Sequence, residues 1–232
     1  PRDKAERIIA LGEELLQKST DTRQRENAVQ CLCYTYDGID KEKALYYADM
    51  GGNFHITREH LRSTILDGEE GIEACQSYIM SLIHTAAMTA SSMISKTQFT
   101  HEETIEAYTF AIDILKRLYS DDNVGFYAFD ISYYYYCIAL KYSDMNHTGK
   151  TLEALEESCR YAIIEANLKD MDYTAPMVNR MKHKKSDTFK NYKGNACNLR
   201  LKALEDKKFD FLRNEKVFKK IVSDLEQYAE CV

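Results

Sequence analysis

The scarcity of proline constrains the fold of this chain more than any other feature. Its two prolines are Pro1 and Pro176, so the long stretch between them contains no residue that breaks a helix by lacking a backbone N–H group. This stretch is rich in Ala, Leu, Glu and Lys, which are strong helix formers. We therefore predict an all-α fold with no sheet.

Apolar residues at the spacing i, i+3, i+4 and i+7 place helices along most of the chain. The predicted helices cover 3–18, 22–36, 41–50, 58–66, 69–95, 101–119, two segments within 125–170, 197–204 and 214–229. Thr100 and Glu103 form a capping-box signature at the start of one of them. Residues 171–194 lack periodicity and predict a loop or weakly ordered basic connection. We therefore expect one domain, with a helical-repeat array at 1–170 and capping helices at 195–232.

Charge, cysteine content and hydropathy narrow the class of protein. The net charge of −6 at pH 7 argues against a surface that binds nucleic acid directly. The seven cysteines lie mostly within helical apolar patterns, which is typical of buried thiols in a reducing cytoplasm. No stretch is long and apolar enough to cross a membrane, and the N-terminus lacks the apolar core of a signal peptide. The sequence thus predicts a cytoplasmic protein with no membrane association.

Tyrosines are concentrated in residues 125–170, a predicted pair of helices joined by a short polar turn. Helical spacing predicts a groove-lining surface made of Phe126, Phe129, Asp130, Tyr133, Tyr136, Leu140 and Ser143. Such an aromatic groove would suit a peptide or another flat ligand. The alternative is that the tyrosines pack one pair of helices against the next and leave only their hydroxyls at the surface.

A second candidate surface is basic and lies in the predicted connection. Arg180, Lys182, Lys184 and Lys185 could contact an anionic partner, or they could form a solvated loop. The histidines are scattered without the spacing of a metal site, and His84 is expected in the core or the groove. We find no nucleophile motif, metalloprotease motif or phosphate-binding loop, so the sequence predicts neither an enzyme nor a cofactor.

Two stretches carry small residues and tyrosines in an order similar to tetratricopeptide repeats, in which small residues allow close helix contact. The first stretch contains Cys31, Tyr34, Gly38, Ala44, Ala48 and Gly51. The second contains Ala139, Tyr142, Gly149, Ala154, Ser158 and Tyr161. Their spacing is irregular, which indicates a degenerate, right-handed array of antiparallel helical hairpins.

Together with the segment at 209–226, which resembles the capping helix of bacterial repeat arrays, these stretches resemble the C-terminal domain of bacterial Xre-type helix-turn-helix transcriptional regulators. The resemblance implies a domain that senses a peptide or protein ligand, contacts DNA only through a helix-turn-helix domain N-terminal to this sequence, and can form a homodimer. Because the chain begins at Pro1 without a methionine, we expect that domain to precede it. The alternative is a free-standing repeat scaffold that bridges proteins and has no role at DNA.

Overall fold

The computed structural model describes residues 2–52, 57–96, 98–120, 122–185 and 193–230 and is mostly helical. The α-helices are α1 (Arg2–Lys18), α2 (Thr22–Asp37), α3 (Lys41–Ala48), α4 (Arg58–Ile65), α5 (Gly68–Met93), α6 (His101–Leu118), α7 (Ala128–Asp144), α8 (Thr148–Ala166), α9 (Ala196–Ala203) and α10 (Lys216–Tyr228). Short 3-10 helices cover Gly125–Tyr127 and Lys207–Leu212. The predicted helices agree with these to within a few residues.

Polar side chains cap the N-termini of several helices. Asp21 accepts a hydrogen bond from the Gln24 N–H at 2.9 Å and so caps α2. The predicted capping box of α6 is confirmed, because the Glu103 N–H donates to the Thr100 hydroxyl at 3.1 Å and the Thr100 N–H donates to the Glu103 carboxylate at 2.8 Å. These local contacts satisfy N–H groups that have no partner within the helix.

The chain divides into two compact units, Pro1–Leu61 and Arg62–Val232, and the boundary falls inside the array predicted for 1–170. In the N-terminal unit α2 packs against both α1 and α3. The buried core there consists of Leu32, Tyr36, Ala44 and Tyr47.

The C-terminal unit has a larger core, which extends from α5 to α10. Neighbouring helices pack in chain order from α5 to α8, and α8 also packs against α9 and α10. The largest fully buried side chains include Tyr119, Tyr161 and Phe209. This unit contains all the candidate site residues.

A two-stranded antiparallel sheet is also present, so the prediction of no sheet is wrong. Strand β1 (Met171–Asp172) pairs with β2 (Lys182–His183), with Met171 opposite His183. Both strands lie within the segment 171–194 that was predicted as a connection. Strands of two residues are too short to show the alternating pattern that identifies a strand in a sequence.

Contacts with α5 hold the turn between the two strands in place. The Gln76 side chain donates to the Pro176 carbonyl at 2.9 Å and accepts from the Arg180 N–H at 2.8 Å. Tyr173 and Val178 are buried beneath this turn. The hairpin therefore depends on a glutamine about a hundred residues earlier in the chain.

Candidate functional site

Helix α7 positions the candidate site, because neighbouring helices cover its other faces. The Ser132 hydroxyl donates to the Ser158 carbonyl of α8 at 2.8 Å, and the Ser158 hydroxyl donates to the Ser132 carbonyl at the same distance. This reciprocal pair of hydrogen bonds joins α7 directly to α8. On another side, the Tyr134 ring lies 5.6 Å from the Tyr108 ring of α6. The remaining face carries Tyr133, which is 41% exposed.

An arginine from α9 lies against the tyrosines of this face. The Arg200 guanidinium carbon is 5.6 Å from the centre of the Tyr133 ring and 4.9 Å from that of Tyr136. Tyr136 also contacts Phe209, with ring centres 6.1 Å apart. Cation–π contacts of this kind contribute about 0.5–2 kcal/mol each. The sequence does not point to Arg200, since a single arginine in a short helix carries no signal of what it packs against.

Asp130 lies on the same helix, one turn before Tyr133 and Tyr134, and is half-buried. Burial raises the pKa of its carboxyl to about 6. The pKa of Tyr134 is raised to about 12 by burial and then by the negative charge of Asp130, and both causes also act on Tyr127. Among the residues that the structure describes, Asp130 therefore lies close to aromatic rings rather than to cations.

The other predicted groove residues are more fully engaged in packing. The Ser143 hydroxyl donates to the Lys208 carbonyl at 2.6 Å and anchors the 3-10 helix Lys207–Leu212. Phe126 stacks on His183 with ring centres 6.2 Å apart. Phe129 and Leu140 are half-buried against the core. Part of the predicted surface is therefore covered by packing, and its exposed part centres on Tyr133.

The basic surface predicted at 180–185 has carboxylate partners within the chain. Arg180 forms an ion pair with Glu69 at 2.9 Å, and Lys182 forms one with Asp172 at 3.4 Å across the two strands. Lys184 and Lys185 are exposed, and the Lys185 N–H donates to Asp170 at 2.8 Å. These ion pairs reduce the net positive charge available to an anionic partner.

His84 is half-buried and contacts two tyrosines of the C-terminal unit. Its Nε2 lies 3.1 Å from the Tyr119 hydroxyl, and its ring centre is 3.3 Å from that of Tyr127. Burial lowers the pKa of His84 to about 3 and raises the pKa of Tyr119. Both side chains are therefore uncharged near neutral pH, as expected for a hydrogen-bonded core pair.

Three of the cysteines, Cys137, Cys159 and Cys197, are buried as the sequence predicts, whereas Cys31 is exposed. Burial raises the pKa of Cys159 and of Cys197 to about 12. A thiol with so high a pKa is a poor nucleophile at neutral pH. The exposed position of Cys31 departs from the prediction, since α2 turns this residue away from its small core.

In the part of the chain that the structure describes, no group of three or more His, Cys, Asp or Glu side chains could hold a metal ion. His55, one of the scattered histidines, lies outside that part. No helix within the described ranges has a stretch long and apolar enough to span a membrane. Comparison with protein-family models, with curated proteins and with solved structures found no match to this chain.

Proposed function

We propose that this chain is a ligand- or partner-sensing domain of a bacterial transcriptional regulator, built from degenerate tetratricopeptide-like hairpins. The exposed face of α7 binds a peptide or a protein segment. DNA is contacted by a helix-turn-helix domain outside this sequence. Ligand binding changes the packing of adjacent hairpins, and this change alters the orientation of the DNA-binding domain.

The order of helix contacts in the C-terminal unit supports a repeat arrangement. Each helix from α5 to α8 packs against the next one in the chain, and α9 and α10 pack on α8. Such contacts between sequence neighbours are typical of solenoids, in which each hairpin contacts only adjacent ones. The final pair, α9 and α10, would shield the end of the array.

The observation that carries the proposed binding function is the exposure of Tyr133 beside a buried cation. An exposed aromatic ring fixed from below by Arg200, at 5.6 Å, presents a flat and rigid surface. Tyrosine loses little conformational entropy on binding, and tyrosines are enriched at binding hot spots. A peptide laid along α7 would cover this ring first.

Selection from a phage-displayed library of short random peptides tests this function. We expect the chain to enrich a family of related peptides, and Tyr133→Ala to weaken binding of a synthetic enriched peptide by about tenfold, or about 1.4 kcal/mol. Tyr34→Ala is the matched control, because Tyr34 is 72% exposed on α2 of the other unit. Equal affinity for wild type and Tyr133→Ala would contradict the proposed site.

The role in transcription is tested separately by the gene sequence 5′ of the Pro1 codon. A regulator requires a helix-turn-helix coding segment there, whereas a start codon immediately before Pro1 would support the free-standing scaffold instead. Regulators of this kind bind two-fold symmetric DNA sites as dimers. Light scattering at several concentrations tests whether the chain dimerises.

A further inference from the structure

We propose that Asp130 binds a cationic group of the peptide, either a lysine or arginine side chain or the peptide amino terminus. This inference rests on the proposed peptide-binding function and specifies the chemistry of its ligand. Asp130 is placed for this role because it lies one helical turn from the exposed Tyr133 on the same side of α7.

Asp130 differs from the other carboxylates around the core of the C-terminal unit. Those carboxylates have partners: Asp122 with Arg160 at 2.8 Å and Tyr161 at 2.9 Å, Asp144 with Lys208 at 2.6 Å, and Glu165 with the Ala196 N–H at 2.9 Å. Asp130 is half-buried, yet it forms no hydrogen bond or ion pair with any residue that the structure describes. A carboxylate that is partly removed from water without a partner is destabilising. A cation on a bound ligand would supply the missing partner.

The surroundings of Asp130 select for a positive charge. Tyr134 follows Asp130 by four residues and Tyr127 precedes it by three, so both lie on its side of the helix. Tyr133 extends the aromatic surface toward solvent. Tyr134 and Tyr127 are packed against Tyr108 and His84, so the attraction for a cation comes from the carboxylate, which would repel an anionic ligand. The exposed ring of Tyr133 can add a cation–π contact. The ligand class is therefore a peptide with one basic group near an apolar or aromatic segment.

The protonation state of Asp130 makes this binding dependent on pH. Among the described residues, the charge of Asp130 acts on the titratable groups of Tyr127 and Tyr134, and the ring of His84 on α5 lies against that of Tyr127. Burial raises the pKa of both tyrosines and lowers that of His84 to about 3, so all three are uncharged between about pH 5 and 7. Asp130, with a pKa of about 6, loses its charge in this range. Affinity for a cationic peptide is expected to fall about tenfold from about pH 7 to about pH 5.

The experiment repeats the phage selection with wild type and with Asp130→Asn. We expect peptides enriched by wild type to share Lys or Arg at one position, or to require a free amino terminus, and peptides enriched by Asp130→Asn to lack this preference. Synthetic versions of the best peptide, one with norleucine in place of the basic residue and one with an acetylated amino terminus, identify which cation is bound. For wild type, the version lacking that cation should bind about tenfold more weakly, and for Asp130→Asn equally well.

Asp113→Asn is the matched control, because Asp113 is an exposed carboxylate on α6 and its loss changes the net charge equally. It should keep the preference for a basic group. Enrichment of related peptides without any basic preference would overturn the role of Asp130 and leave the peptide-binding function standing. Absence of any enrichment by wild type would overturn the peptide-binding function and, with it, this inference.

Discussion

The two compact units consist of helices with similar apolar patterns, but they differ in how many neighbours each helix has. In the N-terminal unit α2 packs against α1 and α3, which the hydrogen bond from Tyr47 to Glu13 also joins, and the core cluster among the described residues contains four buried side chains. In the C-terminal unit α8 packs against α7, α9 and α10, and the core extends across every helix from α5 onward. The number of neighbouring helices, rather than the strength of the apolar pattern, determines how large a core can form.

The two stretches similar to tetratricopeptide repeats show the same difference at the level of single residues. Cys31 and Tyr34 in the N-terminal unit are exposed, and Tyr34 is 72% exposed. The corresponding Ala139 of the C-terminal unit is fully buried, and Tyr142 is half-buried. A small residue supports close packing only where another helix covers it, so in the N-terminal unit the pattern packs through Ala44, whereas Cys31 and Tyr34 are left exposed.

The largest expected effect comes from truncating the core of the C-terminal unit. Phe209 is fully buried, so Phe209→Ala should lower the free energy of unfolding by about 3–5 kcal/mol. Phe211→Ala is the control in the same 3-10 helix, because Phe211 is 46% exposed and its loss should change stability by only about 0.5 kcal/mol. Urea unfolding, monitored by hydrogen exchange in α7 and α9, measures the stability of both variants. Equal losses would show that the core does not extend to this segment.

Asp130→Asn should stabilise the C-terminal unit by about 2 kcal/mol at pH 7. Burial raises the pKa of Asp130 to about 6 in the folded protein, above the value of about 4 for an unfolded chain. The folded state therefore binds the proton more tightly, and the contribution of Asp130 to stability falls as the pH rises from about 4 to about 6. In thermal unfolding across this range, the stability of Asp130→Asn relative to wild type should therefore increase with pH, whereas Asp113→Asn should follow wild type. If the stability of all three proteins changed with pH in parallel, the raised pKa of Asp130 would be contradicted.

In the N-terminal unit, close contact between α1 and α2 makes Gly12 sensitive to substitution. A Cβ atom at Gly12 would lie 2.8 Å from Cγ of the buried Leu32. Overpacking of about 1–3 kcal/mol exceeds the gain of about 1 kcal/mol in helix propensity, so Gly12→Ala should lower the free energy of unfolding by about 1 kcal/mol. Gly38→Ala is the control, because nothing lies within 4 Å of its added Cβ. Hydrogen exchange in α2 compares the two, and a stabilised Gly12→Ala would refute the close contact.

A comparably small effect is expected from the hydrogen bonds in the same small core. The hydroxyls of Tyr36 and Tyr47 both donate to Glu13 at 3.1 Å. Tyr47→Phe removes one of these bonds and should lower stability by about 1 kcal/mol. Tyr46→Phe should leave stability unchanged, because Tyr46 is 58% exposed. Denaturant unfolding of both variants measures the difference, and an unchanged Tyr47→Phe would show that Glu13 does not support this core.

The candidate site was predictable in part. Helical spacing places Asp130, Tyr133 and Tyr136 on one side of α7, and the structure exposes that side at Tyr133. The same spacing also assigned Ser143 to the surface, whereas its hydroxyl binds the Lys208 carbonyl. Periodicity describes one helix at a time, so it cannot show which part of a face a later segment will cover. The position of Lys207–Leu212 covers Ser143, and His183 stacks on Phe126, so contacts from other segments separate the accessible residues from the covered ones.

Local chemistry in the sequence determined where the helices lie and how several begin, because helix periodicity and capping depend on residues within a few positions of one another. The tertiary structure decided the division into two units, the hairpin of β1 and β2, the contact of Arg200 with Tyr133, and the lack of a cationic partner for Asp130 among the described residues. These features join residues tens of positions apart or, for Asp130, depend on which groups are absent nearby. Such contacts arise only when whole helices pack, and the packing is selected by shape and burial across the core rather than by neighbouring residues.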